Sequence, residues 1–170
     1  KLIPSYPQKL QMNPLAGPRH IAFHPNNQIV YVINELDCTV SLLHTDDKGI
    51  YKLISSVSTL PPGYSEESYC ADIHISSDGK FLYASNRGHN SIAVFKVFPE
   101  SGKLKPIVYE PTHGEWPRNF CLSPDENYLI VANQNSNNIV AFKRDKETGL
   151  LKYTDEIEAP NPVCILFKSK

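Results

Sequence analysis

An all-β chain of radially repeated sheets, a β-propeller, follows from a motif that occurs three times and from the spacing of its copies. Gly17-Pro18-Arg19-His20-Ile21-Ala22-Phe23-His24-Pro25-Asn26 aligns with Ser68-Tyr69-Cys70-Ala71-Asp72-Ile73-His74-Ile75-Ser76-Ser77-Asp78 and with Trp116-Pro117-Arg118-Asn119-Phe120-Cys121-Leu122-Ser123-Pro124-Asp125. Each copy continues into an apolar stretch that ends on asparagine: Ile29–Asn34, Phe81–Asn86 and Tyr128–Asn133. Asn34 to Asn86 spans 52 positions and Asn86 to Asn133 spans 47. Periods of this size, filled with short strands and lacking helical patterning, belong to propeller blades. Near-copies also supply an internal control. What every copy shares serves the blade, and what one copy alone carries is a candidate for function.

Four strands are expected in each repeat. They run Arg19–Phe23, Ile29–Ile33, Thr39–His44 and Tyr51–Val57; then Ala71–Ile75, Phe81–Ser85, Ser91–Val97 and Leu104–Tyr109; then Arg118–Leu122, Tyr128–Ala132, Asn138–Lys143 and Leu150–Glu156. Ser77-Asp78-Gly79-Lys80 and Pro124-Asp125-Glu126-Asn127 have the chemistry of tight turns between first and second strands. Asp46-Asp47-Lys48-Gly49, Glu100-Ser101-Gly102-Lys103 and Glu147-Thr148-Gly149 join third to fourth. Leu60-Pro61-Pro62-Gly63 and Glu110-Pro111-Thr112 suit crossings between blades. The expected blades therefore cover about 18–60, 70–110 and 117–158. Two single strands flank them: an outer strand at about 8–12, and an inner strand at about 163–168, where Pro162-Val163-Cys164-Ile165-Leu166-Phe167 matches Pro18-Arg19-His20-Ile21-Ala22-Phe23. Closed propellers need about four to eight blades. Three antiparallel four-stranded blades with one extra strand at each end thus read as the C-terminal half of a longer protein. The exposed blade faces call for the missing N-terminal half-propeller or a second copy as partner.

Bulk properties exclude several classes. The 170 residues carry 17 basic and 18 acidic side chains, a formal net charge of -1, with no basic footprint for nucleic acid or an anionic membrane. No apolar run approaches the roughly 18 residues of a spanning helix. Lys1-Leu2-Ile3-Pro4-Ser5 has no signal-peptide h-region, and no Asn-x-Ser/Thr sequon occurs. Cys38, Cys70, Cys121 and Cys164 form no C-x-x-C pair and sit in apolar strand contexts, so buried thiols in a reducing compartment are expected over disulfides. A cytoplasmic location is the expectation.

The motifs resemble the lactonase family of seven-bladed propellers, which includes bacterial-type 6-phosphogluconolactonases and fungal carboxy-muconate cyclases. The resemblance is carried by Gly17–Pro25 with Asn34-Glu35-Leu36, by Ala71–Gly88, by Trp116-Pro117-Arg118-Asn119-Phe120 and by Pro162-Val163-Cys164. It covers nearly the whole chain, but only about the second half of a family member. It implies a hydrolase of carbohydrate metabolism acting on an anionic sugar lactone, with 6-phosphogluconolactone of the pentose phosphate pathway first, and no cofactor. The alternatives are a muconate-type cycloisomerase and a non-catalytic propeller that binds a metabolite or protein.

Topology alone gathers the candidate residues. The start of a blade's first strand and the end of its second open onto one face. Arg19, His20, Asn34 and Glu35 therefore meet Asp72, Asn86 and Arg87, and then Arg118, Asn119, Asn133 and Gln134. The three asparagines occur in every copy and read as turn caps. The next position varies as Glu35, Arg87 and Gln134, and the position after the Pro-Arg step as His20, Asp72, Asn119 and Cys164. A lactonase needs a base, oxyanion donors and cationic clamps. Glu35, His20 and Arg19 are accordingly the catalytic candidates, and Arg87, Arg118, Asp72 and Asn119 the substrate-binding ones. The resemblance itself carries an arginine and a glutamate onto Arg19 and Glu35 and a second arginine onto Arg87, and its further histidine belongs to the first half. His24 reads as structural, His74 as packed between blades, His44 and His113 as solvent or loop residues, and Trp116 as packing. His89 sits where it could line the mouth. The histidines show no metal spacing. A calcium site from Asp72, Asn86 and Asn133 is the one metal alternative, and no metal is assigned.

Overall fold

The computed structural model describes residues 9–168. Twelve strands follow in chain order: β1 (Pro18–Phe23), β2 (Ile29–Asn34), β3 (Thr39–Thr45), β4 (Tyr51–Ser58), β5 (Tyr69–Ile75), β6 (Phe81–Arg87), β7 (Ser91–Val97), β8 (Leu104–Pro111), β9 (Pro117–Leu122), β10 (Tyr128–Asn133), β11 (Asn138–Arg144) and β12 (Leu151–Glu158). They form three antiparallel four-stranded sheets in the orders β1-β2-β3-β4, β5-β6-β7-β8 and β9-β10-β11-β12. The first strands of the sheets adjoin one another, β1 beside β5 and β5 beside β9, and so form the inner wall of the partial ring.

Short-range chemistry sets the turns. In the second sheet the Ser76 hydroxyl donates to Asp78 Oδ1 at 2.7 Å, and the same carboxylate oxygen accepts the Lys80 amide at 3.0 Å. Ser123 and Asp125 repeat this, with the Asn127 amide as donor. The first sheet reaches the same turn through the His24 and Asn26 side chains. The shared backbone requires a left-handed residue, supplied as Asn27 (φ 60), Gly79 (φ 71) and Glu126 (φ 54). Only glycine adopts that region freely.

Apolar seams hold the sheets together. Tyr31, Ile33 and Leu42 of the first pack with Leu82, Ala84 and Phe95 of the second. The opposite side of the second sheet packs Tyr83, Ile92 and Val94 against Phe120, Leu129 and Phe142 of the third. Covered on both sides, β6 is buried along its whole length, whereas β10 and β11 include half-buried and exposed positions. Asn34, Asn86 and Asn133 are fully buried. Asn86 Nδ2 donates to the Thr59 carbonyl at 2.8 Å and Asn133 Nδ2 to the Thr112 carbonyl at 3.0 Å, so these two fasten their sheet to the segment entering from the preceding one. Asn34 bonds Thr39 and Ser41 instead. The shared asparagines are therefore blade-building groups.

The flanking strands expected at 8–12 and 163–168 are a correction. Residue 8 lies outside the described residues, and residues 9–12 and 163–168 belong to no ladder. A strand exists only against a hydrogen-bonded neighbour, and neither segment has a strand partner among the described residues. Met12 packs against Val30, Val32 and Leu43 of the first sheet. The Ile165 amide donates to Asn119 Oδ1 at 2.7 Å, which lays the tail beside β9. The cysteine expectation is also corrected in part. All four thiols are free, but only Cys38 and Cys70 are buried, while Cys121 is half-buried and Cys164 exposed.

Candidate active site

One rim of the ring, the mouth, carries the start of β1, β5 and β9 and the end of β2, β6 and β10. Glu35 follows β2 directly. Its amide donates to the Gly17 carbonyl at 2.7 Å, and its carbonyl accepts the Cys70 amide at 3.2 Å. The side chain is thereby aimed across the seam between the first two sheets. Arg87 at the end of β6 meets it: Arg87 Nη2 donates to Glu35 Oε1, and also to the Cys70 carbonyl at 2.8 Å. Arg87 Nε points to the Tyr69 carbonyl at 3.4 Å, and its guanidinium lies 5.4 Å from the centre of the Trp116 ring. Trp116 is the residue before β9 and adopts a left-handed backbone, φ 65. Its amide donates to Asn90 Oδ1 at 2.9 Å and its carbonyl accepts Gln134 N–H at 3.1 Å, which holds that uncommon conformation.

Arg19 completes a charged triad. Its Nε is 3.8 Å from Glu35 Oε2, and its Nη1 donates to the Ala71 carbonyl at 2.5 Å. Burial lowers the Arg19 pKa, the nearby Arg87 charge lowers it further, and Glu35 offsets part of this. Nη1 also lies 3.2 Å from His20 Nε2. On the other side of that ring, His20 Nδ1 lies 2.8 Å from Asp72 Oδ1. The tautomer that satisfies both contacts carries its proton on Nδ1 and turns the Nε2 lone pair toward Arg19.

Asp72 is buried on β5 and gathers several donors. Oδ1 also accepts the Ile73 amide at 2.9 Å. Oδ2 accepts from His74 Nε2 at 3.2 Å, from Asn119 Nδ2 at 2.5 Å and from the Phe120 amide at 3.3 Å. Burial pushes this carboxyl up, but the hydrogen bonds from His74 and His20 and from the Ile73 amide outweigh burial and hold it at about 2. It is an anion at any ordinary pH.

The sequence candidates thus fall into groups. Arg19, His20, Glu35, Arg87, Asp72 and Asn119 form one connected polar set. Both ends of the Asn119 amide are engaged, by Asp72 and by the Ile165 amide. Arg118 is half-buried, near enough to lower the Arg19 pKa by its charge, and has no side-chain hydrogen bond or ion pair among the described residues. His74, read from sequence as packing, does pack edge-on against Phe120 with ring centres 4.8 Å apart, and it also bonds Asp72. Its alternation with Asp72 on one face of β5 was the available signal. His44, expected in solvent or a loop, instead lies on β3 with Nε2 3.0 Å from the Ser101 carbonyl of the neighbouring sheet. The asparagines of the calcium alternative, Asn86 and Asn133, are buried and hold the blades. Among the described residues no three His, Cys, Asp or Glu side chains are grouped to hold a metal ion.

A groove of about 610 Å³ runs down the inner wall from this set, lined by Arg19, His20, Phe23, Asp72, His74 and Ile75 among others. Comparison with known proteins places these features. The family described as "Lactonase, 7-bladed beta-propeller" matches residues 1–167. The chain belongs to this lactonase family. The Bacillus subtilis 6-phosphogluconolactonase is 44% identical over 112 residues, 65% of this chain and 32% of that protein. A 6-phosphogluconolactonase of Formosa agariphila is 49% identical over 118 residues, 68% of this chain and 33% of that protein. Among solved structures, the periplasmic gluconolactonase of Pseudomonas aeruginosa superposes with a TM-score of 0.86 at 30% identity, covering 90% of this chain and 43% of that one. A Lactobacillus plantarum protein gives 0.88 at 37% identity, with 91% and 46% covered. The chain spans about a third of the length of the curated relatives it matches.

Proposed function

We propose that the full-length protein hydrolyses an anionic sugar lactone, with 6-phosphogluconolactone as first candidate, at the mouth between the first two sheets. The observation that carries this is His20, fixed by the buried Asp72 anion through Nδ1, with its other nitrogen beside the Arg19 guanidinium at the head of an open groove. Water takes the place of the Arg19 N–H at His20 Nε2, which then accepts its proton as the oxygen attacks the lactone carbonyl carbon. Arg19 donates to the oxyanion that forms. The ring C–O bond then breaks, and the imidazolium returns its proton to the departing ring oxygen, stabilised meanwhile by Asp72.

Glu35 holds Arg19 and Arg87 in place and is the second candidate base. Arg87, only 5% exposed, acts through Glu35. Arg118, with its donors unengaged among the described residues, is suited to the substrate's charged group. Asp72 and Asn119 position these groups. The names of the relatives support the lactone as substrate, and the charged mouth supports an anionic one. The remaining blades of the ring are the expected partner, and a cytoplasmic location fits the free thiols. Among the described residues no helix is long and apolar enough to cross a membrane.

The test is lactone hydrolysis by the full-length protein, on 6-phosphogluconolactone and on unphosphorylated gluconolactone. His20→Ala is expected to lower kcat by roughly 10²–10⁴-fold with a smaller change in KM. Unchanged turnover in His20→Ala, Glu35→Gln and Arg19→Ala together would remove this mouth from the reaction.

A further inference from the structure

We infer that Trp116 is a positioning residue: its ring, carried on an unfavourable backbone, holds Arg87 against Glu35 and through Glu35 sets Arg19 at the mouth. The effect on turnover rests on the lactonase reading, and the hold on Arg87 does not. The repeat isolates what is unusual about Trp116. It stands before Pro117 as Gly17 stands before Pro18 and Asn161 before Pro162. All three are left-handed, with φ 65, 66 and 47. The clamp on this conformation recurs as well. Asn90 Oδ1 accepts the Trp116 amide at 2.9 Å, and Asn137 Oδ1, at the same turn position one sheet on, accepts the Asn161 amide at 2.8 Å. The left-handed turn therefore belongs to the blade, and glycine and asparagine are the residues that tolerate it. A bulky aromatic there is the departure, and it carries a conformational strain that either of the other two would avoid.

The strained position delivers the indole to one guanidinium. Arg87 lies 5.4 Å from the ring centre, and the Tyr69 ring is 6.2 Å away. The Arg87 backbone is fixed without the indole. Its carbonyl accepts the Ser68 hydroxyl at 2.9 Å. The next residue, Gly88, donates its amide at 3.2 Å to Asn90 Oδ1, the same oxygen that holds Trp116. A Cβ at Gly88 would overlap the Glu67 carbonyl, so the chain is pressed close at this point.

What the backbone leaves free is the long Arg87 side chain, and the indole covers its end. With the guanidinium shielded from water, its charged hydrogen bond to Glu35 is stronger than it would be in an open site. Glu35 divides its two oxygens between two arginines: Oε1 accepts from Arg87, and Oε2 lies 3.8 Å from Arg19 Nε. Without the ring, the guanidinium opens to water and its bond to Glu35 weakens. The carboxylate that orients Arg19 then loses one of its two charged partners. Arg19 is the oxyanion donor of the proposed reaction, so the loss falls on the chemical step rather than on substrate binding.

The experiment uses the full-length protein and its Trp116→Phe, Trp116→Ala and Trp116→Gly variants. Phenylglyoxal applied to the folded protein, followed by tryptic mapping, reads the hold on Arg87 with no substrate present. A modified Arg87 resists trypsin and leaves Phe81–Lys96 as one peptide. That peptide should form several-fold faster in the Ala and Gly variants than in wild type or the Phe variant. In lactone hydrolysis, Ala and Gly should each lower kcat by roughly 10- to 100-fold with KM changed less than about twofold, and Phe should recover most of the loss. The Gly variant should melt above the Ala variant, because glycine adopts this backbone freely, and it separates loss of the ring from loss of the fold. Equal protection of Arg87 in all four proteins would overturn the inference. So would unchanged kcat in the Ala variant, with or without a raised KM, or a Gly variant that melts no higher than Ala. A wild-type protein that turns over neither lactone would remove the lactonase reading, and Arg87 protection would still decide the hold.

Discussion

The seam between the first and second sheets and the seam between the second and third share one apolar plan and place their charge at opposite rims. In each, a buried tyrosine reaches across to a glycine carbonyl in the next sheet's last turn, Tyr31 to Gly102 at 2.8 Å and Tyr83 to Gly149 at 3.0 Å. The first seam then sets Arg19, Glu35 and Arg87 at the mouth, where the side chains of Arg19 and Glu35 retain 18% and 34% exposure. The second sets Arg144 and Glu126 at the opposite rim, with Arg144 only 1% exposed. Arg144 Nε donates to the Tyr83 hydroxyl at 2.7 Å, its Nη1 reaches the Glu126 carbonyl at 3.2 Å, and Glu126 Oε1 accepts the Ser77 amide at 2.7 Å. The difference separates two uses of a guanidinium. One set keeps donors and lone pairs within reach of a solute, and the other is enclosed by protein, with Arg144 Nη2 buried and unpartnered among the described residues.

Exchanging each arginine tests that division with the largest expected effect. Arg144→Met should cost about 3 kcal/mol in denaturant unfolding, because Glu126 and the Tyr83 hydroxyl lose a buried partner, and it should leave lactone turnover intact. Arg87→Met should do the reverse, losing turnover through a displaced Glu35 while costing less stability. Equal stability losses together with equal turnover losses would erase the contrast between the seams.

Acid titration comes next. The Asp72 carboxyl is held at about 2 in the folded protein against an ordinary value of 3.8. A depressed carboxylate contributes stability that is complete above the unfolded value and is lost as pH falls through the folded one. The loss should therefore fall between about pH 4 and pH 2 and amount to roughly 2 kcal/mol. In Asp72→Asn that part of the pH dependence should vanish, as read from unfolding midpoints across this range. The smallest effect distinguishes the tyrosines. Tyr31→Phe removes one hydrogen bond and should cost about 1 kcal/mol, and Tyr83→Phe should cost roughly 1 kcal/mol more because it also leaves Arg144 Nε without its acceptor.

The repeat made the fold readable, because strand length, turn chemistry and period agree in three copies. Strand ends fall within one or two residues of expectation. The end segments failed the same reasoning: their apolar pattern resembles a strand, but pattern alone supplies no hydrogen-bonded neighbour. At the mouth, topology was enough to gather Arg19, His20, Glu35, Arg87 and Asp72. It could not assign their partners, since contacts such as Arg87 with Glu35 and His20 with Asp72 join residues 52 positions apart through rotamers that no local pattern encodes. Arg144 is a departure of one copy from the others. It occupies the place of Thr45 and Val97 in the other copies, and each of the three amides bonds the corresponding turn carbonyl.

The ring stacked beside Arg87 belongs to the chain's only tryptophan. Its emission therefore reports from a single place, beside the guanidinium that binds the Glu35 carboxylate. Within these residues the mouth carries an intrinsic optical probe, and ligand titrations can be followed by light without a dye or an added label.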